Sequence, residues 1–251
     1  MTELFLLSEP QMARIEPYFP RPHGKPRVDD RRVISGIIYV IRNGLEWKDA
    51  PKNYSPHKTL YNRFVRWSRR GICQRIFAGL AGEDDPPDRI MIDSTHLNVH
   101  RTAASLRKKG GLSRCIGRTK GGLNTKLHAV CDGQGKPVVL LLTEGQMSDH
   151  KGARLLFDQL PPAETLIGDR GYDSNGLRDA LSQRGIKPCI PSTKNRKQAI
   201  DYDKTLYKQR HKVENMFAKL KDWRRIAMRY DRCAHTFFAA ICIAAAVLLY
   251  L

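Results

Sequence analysis

The chain has 251 residues, 41% of them hydrophobic, enough apolar side chain to close a core and to exclude a globally disordered protein. Its formal net charge is +19, from 44 Lys and Arg against 25 Asp and Glu, and a chain this basic is expected to meet a polyanion. The first 88 residues carry 15 basic and 11 acidic side chains and the remainder 29 and 14, so the excess lies in the larger C-terminal part. Charge alone fits a ribosome, a transfer RNA or an anionic membrane as well as DNA.

In chain order, residues 1 to about 82 read as helical. Ser8 caps a first helix with Pro10 in its first turn and Met12, Ile15, Tyr18 and Phe19 on one side. Pro20–Arg27 is a Pro/Gly/basic linker. A second helix runs from about Asp29, with Val33, Ile34, Ile37, Ile38 and Ile41 apolar, and stops at the Asn43-Gly44 cap signal. After a turn containing Trp47 and Pro51, Ser55-Pro56 opens a third helix. Leu60, Phe64 and Trp67 face inward there, and Lys58, Arg63, Arg66, Arg69 and Arg70 project outward. Helix, turn, basic helix is the outline of a helix-turn-helix reader, whose second helix enters the major groove by its first turns. His57, Lys58, Tyr61 and Asn62 are then nearest the bases. A packing domain with a charged outer face is the alternative.

Glu83–Asp88 is a breaker and the expected boundary between a domain over 1–85 and one over 86–251. Beyond it Arg89–Ser94 reads as a short buried strand ending at Asp93. Residues 101–120 hold seven Lys and Arg, no acid and three glycines, a loop suited to a phosphate backbone or simply to solvent. Arg107, Lys108, Lys109, Arg118 and Lys120 are its phosphate candidates. Asn124–Cys131 and Pro137–Thr143 form a hairpin about Asp132-Gly133. Ser148 caps a helix to about Leu160, and Asp149-His150 is its acidic start. Thr165–Gly168 is a short apolar strand ending at Asp169, Ser174–Arg184 a helix, and Lys187–Ile190 a strand. A helix capped at Asp203 follows, with Leu206, Val213, Phe217 and Leu220 as its buried stripe. About 100° round the cylinder Tyr207, Arg210, Glu214 and Lys221 share a second face. Six cysteines without a Cys-x-x-Cys pair read as reduced thiols of a cytoplasmic protein rather than a zinc site. No basic n-region of a signal peptide opens the sequence. The 15 apolar or small residues 237–251 fall short of the roughly 20 that span a bilayer and read as a buried helix, with no membrane partner.

Two neighbouring parallel strands would bring Asp93 and Asp169 together at their carboxyl ends, and a helix packed across that edge can add Glu214. Three crowded carboxylates repel unless a cation intervenes, and all-oxygen ligands favour Mg²⁺ or Mn²⁺. Two such ions could activate a water or a 3′-hydroxyl for attack on phosphorus, with Arg210 and Lys221 on neighbouring phosphates. Asp173 competes with Asp169 for the second acidic position. Asp169 is preferred because it directly follows an apolar strand, whereas Asp173 sits at a helix start. His96 and His100 read as turn histidines and Trp223 as core.

Asp93-Ser94-Thr95, the run Gly168-Asp-Arg-Gly-Tyr-Asp-Ser174, and Tyr207, Arg210, Glu214 and Lys221 at their spacing resemble the acidic motifs of bacterial insertion-sequence DDE transposases of the insertion-sequence-five family. The resemblance covers nearly the whole chain. It implies an α/β fold in which a ribonuclease-H-like catalytic domain, a mixed sheet flanked by helices, follows a small all-α domain that binds terminal inverted repeats. It further implies Asp93, Asp169 and Glu214 as catalytic triad and metal ligands, two Mg²⁺ ions per site, and Tyr207, Arg210 and Lys221 as accessory, phosphate-binding residues. The expected activity is cleavage that frees 3′-hydroxyl ends and their joining to target DNA, by a homodimer or larger homo-oligomer on the bacterial nucleoid. The competing readings are a metal-dependent nuclease of the same fold and a non-catalytic DNA-binding regulator derived from a transposase.

Overall fold

The computed structural model describes residues 4–20, 29–104 and 114–251, and these gather into two units. The first draws on the described residues between Met1 and Leu80, between His100 and Ser113, and from Leu220 to Leu251; the second on Ala81–Val99 and Arg114–Lys219.

The first unit is built by cap chemistry and apolar spacing. Ser8 and Gln11 form a reciprocal capping box at α1 (Glu9–Ile15), burying Met12 and Ile15. Asp29 accepts from the amides of Arg31 and Arg32 to start α2 (Asp30–Asn43), and Gly44, at φ 69°, ends it in the left-handed conformation that glycine adopts without steric cost. Val33, Ile37, Val40 and Ile41 are wholly buried. Pro56 precedes α3 (His57–Arg69), which buries Leu60, Phe64 and Trp67, and Phe19 stacks on Trp67 at 4.5 Å. Arg63 departs from the outward orientation expected of it. Its guanidinium pairs with Asp30 and covers the Trp67 ring, because the carboxylate that fixes it comes from another helix. Gly71 separates α3 from α4 (Ile72–Ala81).

In the second unit six strands among the described residues form a mixed sheet. They are β1 (Arg89–Val99), β2 (Gly117–Thr119), β3 (Gly122–Asp132), β4 (Pro137–Glu144), β5 (Thr165–Gly168) and β6 (Lys187–Cys189). The order runs β2-β3-β1-β5-β6, with β4 also on β3. β1 pairs antiparallel with β3 from Ile90 to Asn98, but parallel with β5 only from Arg89 to Ile92. The expected end of β1 at Ser94 is therefore corrected. The polar run after Ile92 interrupts the apolar pattern, yet β3 carries the strand on to Val99, with Leu97 and Val99 buried and His96 and Asn98 exposed.

Helices α5 (Asp149–Leu156) and α6 (Asn175–Gln183) start at Ser148 and Ser174, each accepting a backbone N–H. They pack Leu156, Leu177 and Leu181 on Ile90, Ile92, Val130 and Leu166 of the sheet, each burial contributing about 1.5–3 kcal/mol. Asp203 accepts from Thr205 and Leu206 as a cap, but the helix it opens is broken into Lys204–Tyr207, a tighter turn Lys208–Arg210, and α7 (His211–Lys221). On α7, Val213, Met216, Phe217 and Leu220 are buried. The apolar run at the chain end forms α8 (Ala234–Leu249), which packs on α2 and α3 within the first unit. Among the described residues no helix is long and apolar enough to cross a membrane.

Candidate active site

Ile92 and Gly168 are the last parallel partners of β1 and β5, so Asp93, still within β1, and Asp169, just past the end of β5, follow them as neighbours. Asp93 Oδ1 accepts the Ser94 amide at 2.8 Å, and its Oδ2 accepts Arg210 Nη1 at 2.6 Å. Arg210 Nη2 donates in turn to Glu214, one turn along α7. One guanidinium thus holds an acid from the sheet and an acid from the helix. Asp169 caps the turn Arg170–Tyr172 by accepting Gly171 N–H at 2.8 Å.

Burial raises the Asp93 pKa, opposed by the Ser94 amide and by Arg210, while the neighbouring Asp169 charge pushes the same way as burial. Burial disfavours the Arg210 charge, but Asp93 and Glu214 outweigh it and hold the guanidinium protonated. Lys221, at the end of α7, has its pKa pulled down by burial. Tyr207 sits half-buried, edge-on to Tyr202 at 5.3 Å.

Three further side chains stand at this site that residue spacing did not single out. Asp149, read from sequence as an acid at a helix start, accepts Ser94 Oγ at 2.6 Å and pairs with Lys126 Nζ at 2.8 Å. Burial opposes its charge, but Lys126 and Ser94 hold its carboxyl below the usual range. Tyr172 is 0% exposed. Burial raises its pKa, and charge from Asp149, Asp93 and Asp169 adds to that against a hydrogen bond with the Ser94 side chain. The only sequence signal for this group was a lysine, Lys126, in the middle of a strand otherwise buried. Asp173 points elsewhere, into a clamp of Arg178 and Arg196.

His57, Lys58, Tyr61, Asn62, Arg66, Arg69 and Arg70 are exposed on and just after α3, and Arg118 and Lys120 are exposed on and beside β2. Arg107, Lys108 and Lys109 lie outside the described residues. Next to the first turns of α3, a cleft of about 810 Å³ is lined by Trp47, His57, Lys58, Tyr61, His100 and Tyr230, with His100 stacked on Tyr230 at 4.8 Å. His96 is tied to the Gly145 carbonyl at 2.9 Å, and Trp223 is buried at 2%.

An all-carboxylate donor set suits a hard divalent ion, and the missing side chain at Gly171 keeps the position beside two of the carboxylates open. A Cβ on Gly171 would stand 2.8 Å from Asp169 Oδ1 and 3.4 Å from Asp149 Oδ2. Among the described residues no three acidic, His or Cys side chains are already grouped as metal ligands; Arg210 stands between Asp93 and Glu214.

Residues 84–249 match the family described as "Transposase DDE domain", and residues 7–77 match "Putative transposase of IS4/5 family". Enzymes of the first family generally use divalent metal ions. The chain is 34% identical over 128 residues to the "Putative transposase for insertion sequence element IS6501" of Brucella ovis, covering 50% of this chain and 98% of that one. It is 35% identical over 141 residues to the corresponding protein of insertion sequence element IS402 of Burkholderia cepacia, covering 49% and 64%. Among solved structures, a piggyBac transposase synaptic complex with hairpin DNA aligns over 94% of this chain and 69% of its own, with a TM-score of 0.56 at 9% identity, a likeness of fold. With a mixed sheet that sets two aspartates side by side, and a family match from Asp84 to Leu249, the chain belongs to the DDE transposases of bacterial insertion sequences and is a DNA transposase, a polynucleotidyl transferase and endonuclease.

Proposed function

We propose that Asp93, Asp169 and Glu214 are the catalytic acids and that together they hold two divalent ions, Mg²⁺ or Mn²⁺, against a phosphodiester. The observation that carries the proposal is the parallel register of β1 and β5, whose last paired residues, Ile92 and Gly168, are each followed by an aspartate, with Arg210 joining Asp93 to Glu214 on α7. Bound there, the ions would lower the pKa of an attacking water or 3′-hydroxyl and offset charge on the leaving oxygen. Arg210 serves as the counter-ion of two acids and, once they are neutralised, is free to turn its fork onto a neighbouring phosphate. Tyr207, before the tighter turn, and Lys221, at the end of α7, are proposed to contact the same backbone. Chelation is the direct test. Strand cleavage should vanish in EDTA and return with excess Mg²⁺ or Mn²⁺; nicking that survives the chelator overturns the metal-dependent reading.

DNA recognition is assigned to residues 1–85 and catalysis to 86–251, with double-stranded inverted-repeat ends and target DNA as partners. Because each site handles one end at a time, joining two ends calls for at least a homodimer. Binding to the ends is proposed to run through α3 as the second helix of a helix-turn-helix, by Arg66, Arg69 and Arg70 on phosphates and His57, Lys58, Tyr61 and Asn62 toward base edges. The basic residues Arg107, Lys108, Lys109, Arg118 and Lys120 are proposed as further backbone contacts, whereas Arg63 is committed to Asp30. Replacing Arg66 and Arg69 together by Ala should weaken end binding and lower the slope of log affinity against log salt by about 0.9 for each phosphate left without its cation. An unchanged affinity and slope, measured by fluorescence anisotropy across a salt series, would take the recognition role from that helix.

A further inference from the structure

Asp149 occupies the first position of α5, where nothing in helix capping requires an acid to be paired inward, since Ser148 already caps the helix. Yet its Oδ1 receives donors from two different strands, Ser94 Oγ of β1 at 2.6 Å and Lys126 Nζ of β3 at 2.8 Å. Lys126 is itself only 6% exposed and also donates to the Met147 carbonyl at 3.0 Å, so the ammonium is fixed rather than wandering in solvent. The second oxygen faces the space at Gly171, where a Cβ would stand 3.4 Å from Asp149 Oδ2 and 2.8 Å from Asp169 Oδ1.

We infer that Asp149 is a fourth acid of this site, a positioning residue whose Oδ2 accepts hydrogen bonds from the water shell of a divalent ion held by Asp93 and Asp169. The inference rests on the reading of those two aspartates as metal ligands. Direct ligation is the poorer role for Asp149, because Lys126 already neutralises its charge. The pair instead offers an acceptor without adding a net negative charge to a crowded cluster. Mg²⁺ gives up its water reluctantly and keeps several molecules, and those waters need acceptors of this kind.

The test is a titration of the full-length protein with Mn²⁺ alone, followed by electron paramagnetic resonance of the free ion, together with thermal melting in EDTA. Asp149→Asn keeps an oxygen for Ser94 and Lys126 but turns a donor toward the Gly171 space. It is expected to weaken Mn²⁺ binding about tenfold or more, the usual effect of losing a residue that orients a metal's ligands. The double variant Asp149→Asn, Lys126→Met is measured beside it, since it removes the ammonium that the single change strands and answers the question if the single variant does not melt cooperatively. An Mn²⁺ affinity equal to that of the parent protein, in either variant that melts cooperatively in EDTA, overturns the inference. Asp169→Asn in the same titration separates the two readings. If it weakens Mn²⁺ binding and Asp149→Asn does not, only the role of Asp149 fails; if neither matters, the metal-site reading fails with it.

Discussion

Asp169→Ala is expected to abolish strand cleavage and joining while leaving the affinity for transposon ends nearly unchanged. A carboxylate that holds a catalytic cation supplies several kcal/mol of charge stabilisation on the reaction path, and about 4 kcal/mol corresponds to a thousandfold in rate. The structural cost is much smaller. Asp169 also caps the turn Arg170–Tyr172 through the Gly171 amide, and losing such a cap costs about 1 kcal/mol against the 5–15 kcal/mol that a domain commonly has. The variant should therefore fold, bind and fail to cut. Gel assays of nicking and joining, run beside end binding on the same preparation, check both halves. Persistent joining would remove Asp169 from the triad, and lost end binding would show that the substitution had damaged more than the site.

Much of this site was visible in the sequence because its main parts are local. The short apolar run Thr165–Gly168 followed by an aspartate appears as β5, and Glu214 falls on a helix with Arg210 one turn before it. The caps at Ser8, Asp29, Ser148, Ser174 and Asp203 were equally readable, since each is a side chain meeting amides two or three residues away. What the sequence hid was non-local. β1 runs five residues past Ser94 because β3 pairs with it, and no pattern inside the strand announces that. Arg63 turns inward for an acid 33 residues away, and Asp149 at the start of α5 meets Lys126 of β3. The two compact units likewise join segments distant in sequence, with Leu220–Leu251 gathered beside the first helices. Periodicity gives the faces of elements; which charge finds which partner is decided by how those elements pack.

Asp173→Ala should destabilise the second unit by about 3–5 kcal/mol, although this acid lies only four residues from Asp169 and has no part in the chemistry proposed above. Its side chain is 0% exposed and accepts Arg178 Nε and Arg196 Nη2, each at 2.8 Å, as well as the Thr193 amide at 2.8 Å. Arg178 in turn donates to the Ile190 carbonyl at 2.6 Å, so one carboxylate binds the start of α6 to the chain beyond β6. Removing it strands Arg178, which is 6% exposed, with an uncompensated charge. Burial by itself would raise the Asp173 pKa, but hydrogen bonds from Arg196, Thr193 and Arg178 overcome it and set the carboxyl far below the usual range. The sign follows from that depression. The unfolded chain takes up the proton first, so the contribution is complete above the ordinary carboxylate pKa of about 4 and is lost as pH falls from there toward the folded value. Urea denaturation of Asp173→Ala beside the parent protein should show the full gap at neutral pH and a narrowing one below about pH 4. A gap under about 1 kcal/mol, within the range of an exposed ion pair, or one that stays constant into acid, would mean that the clamp does not hold this part of the fold.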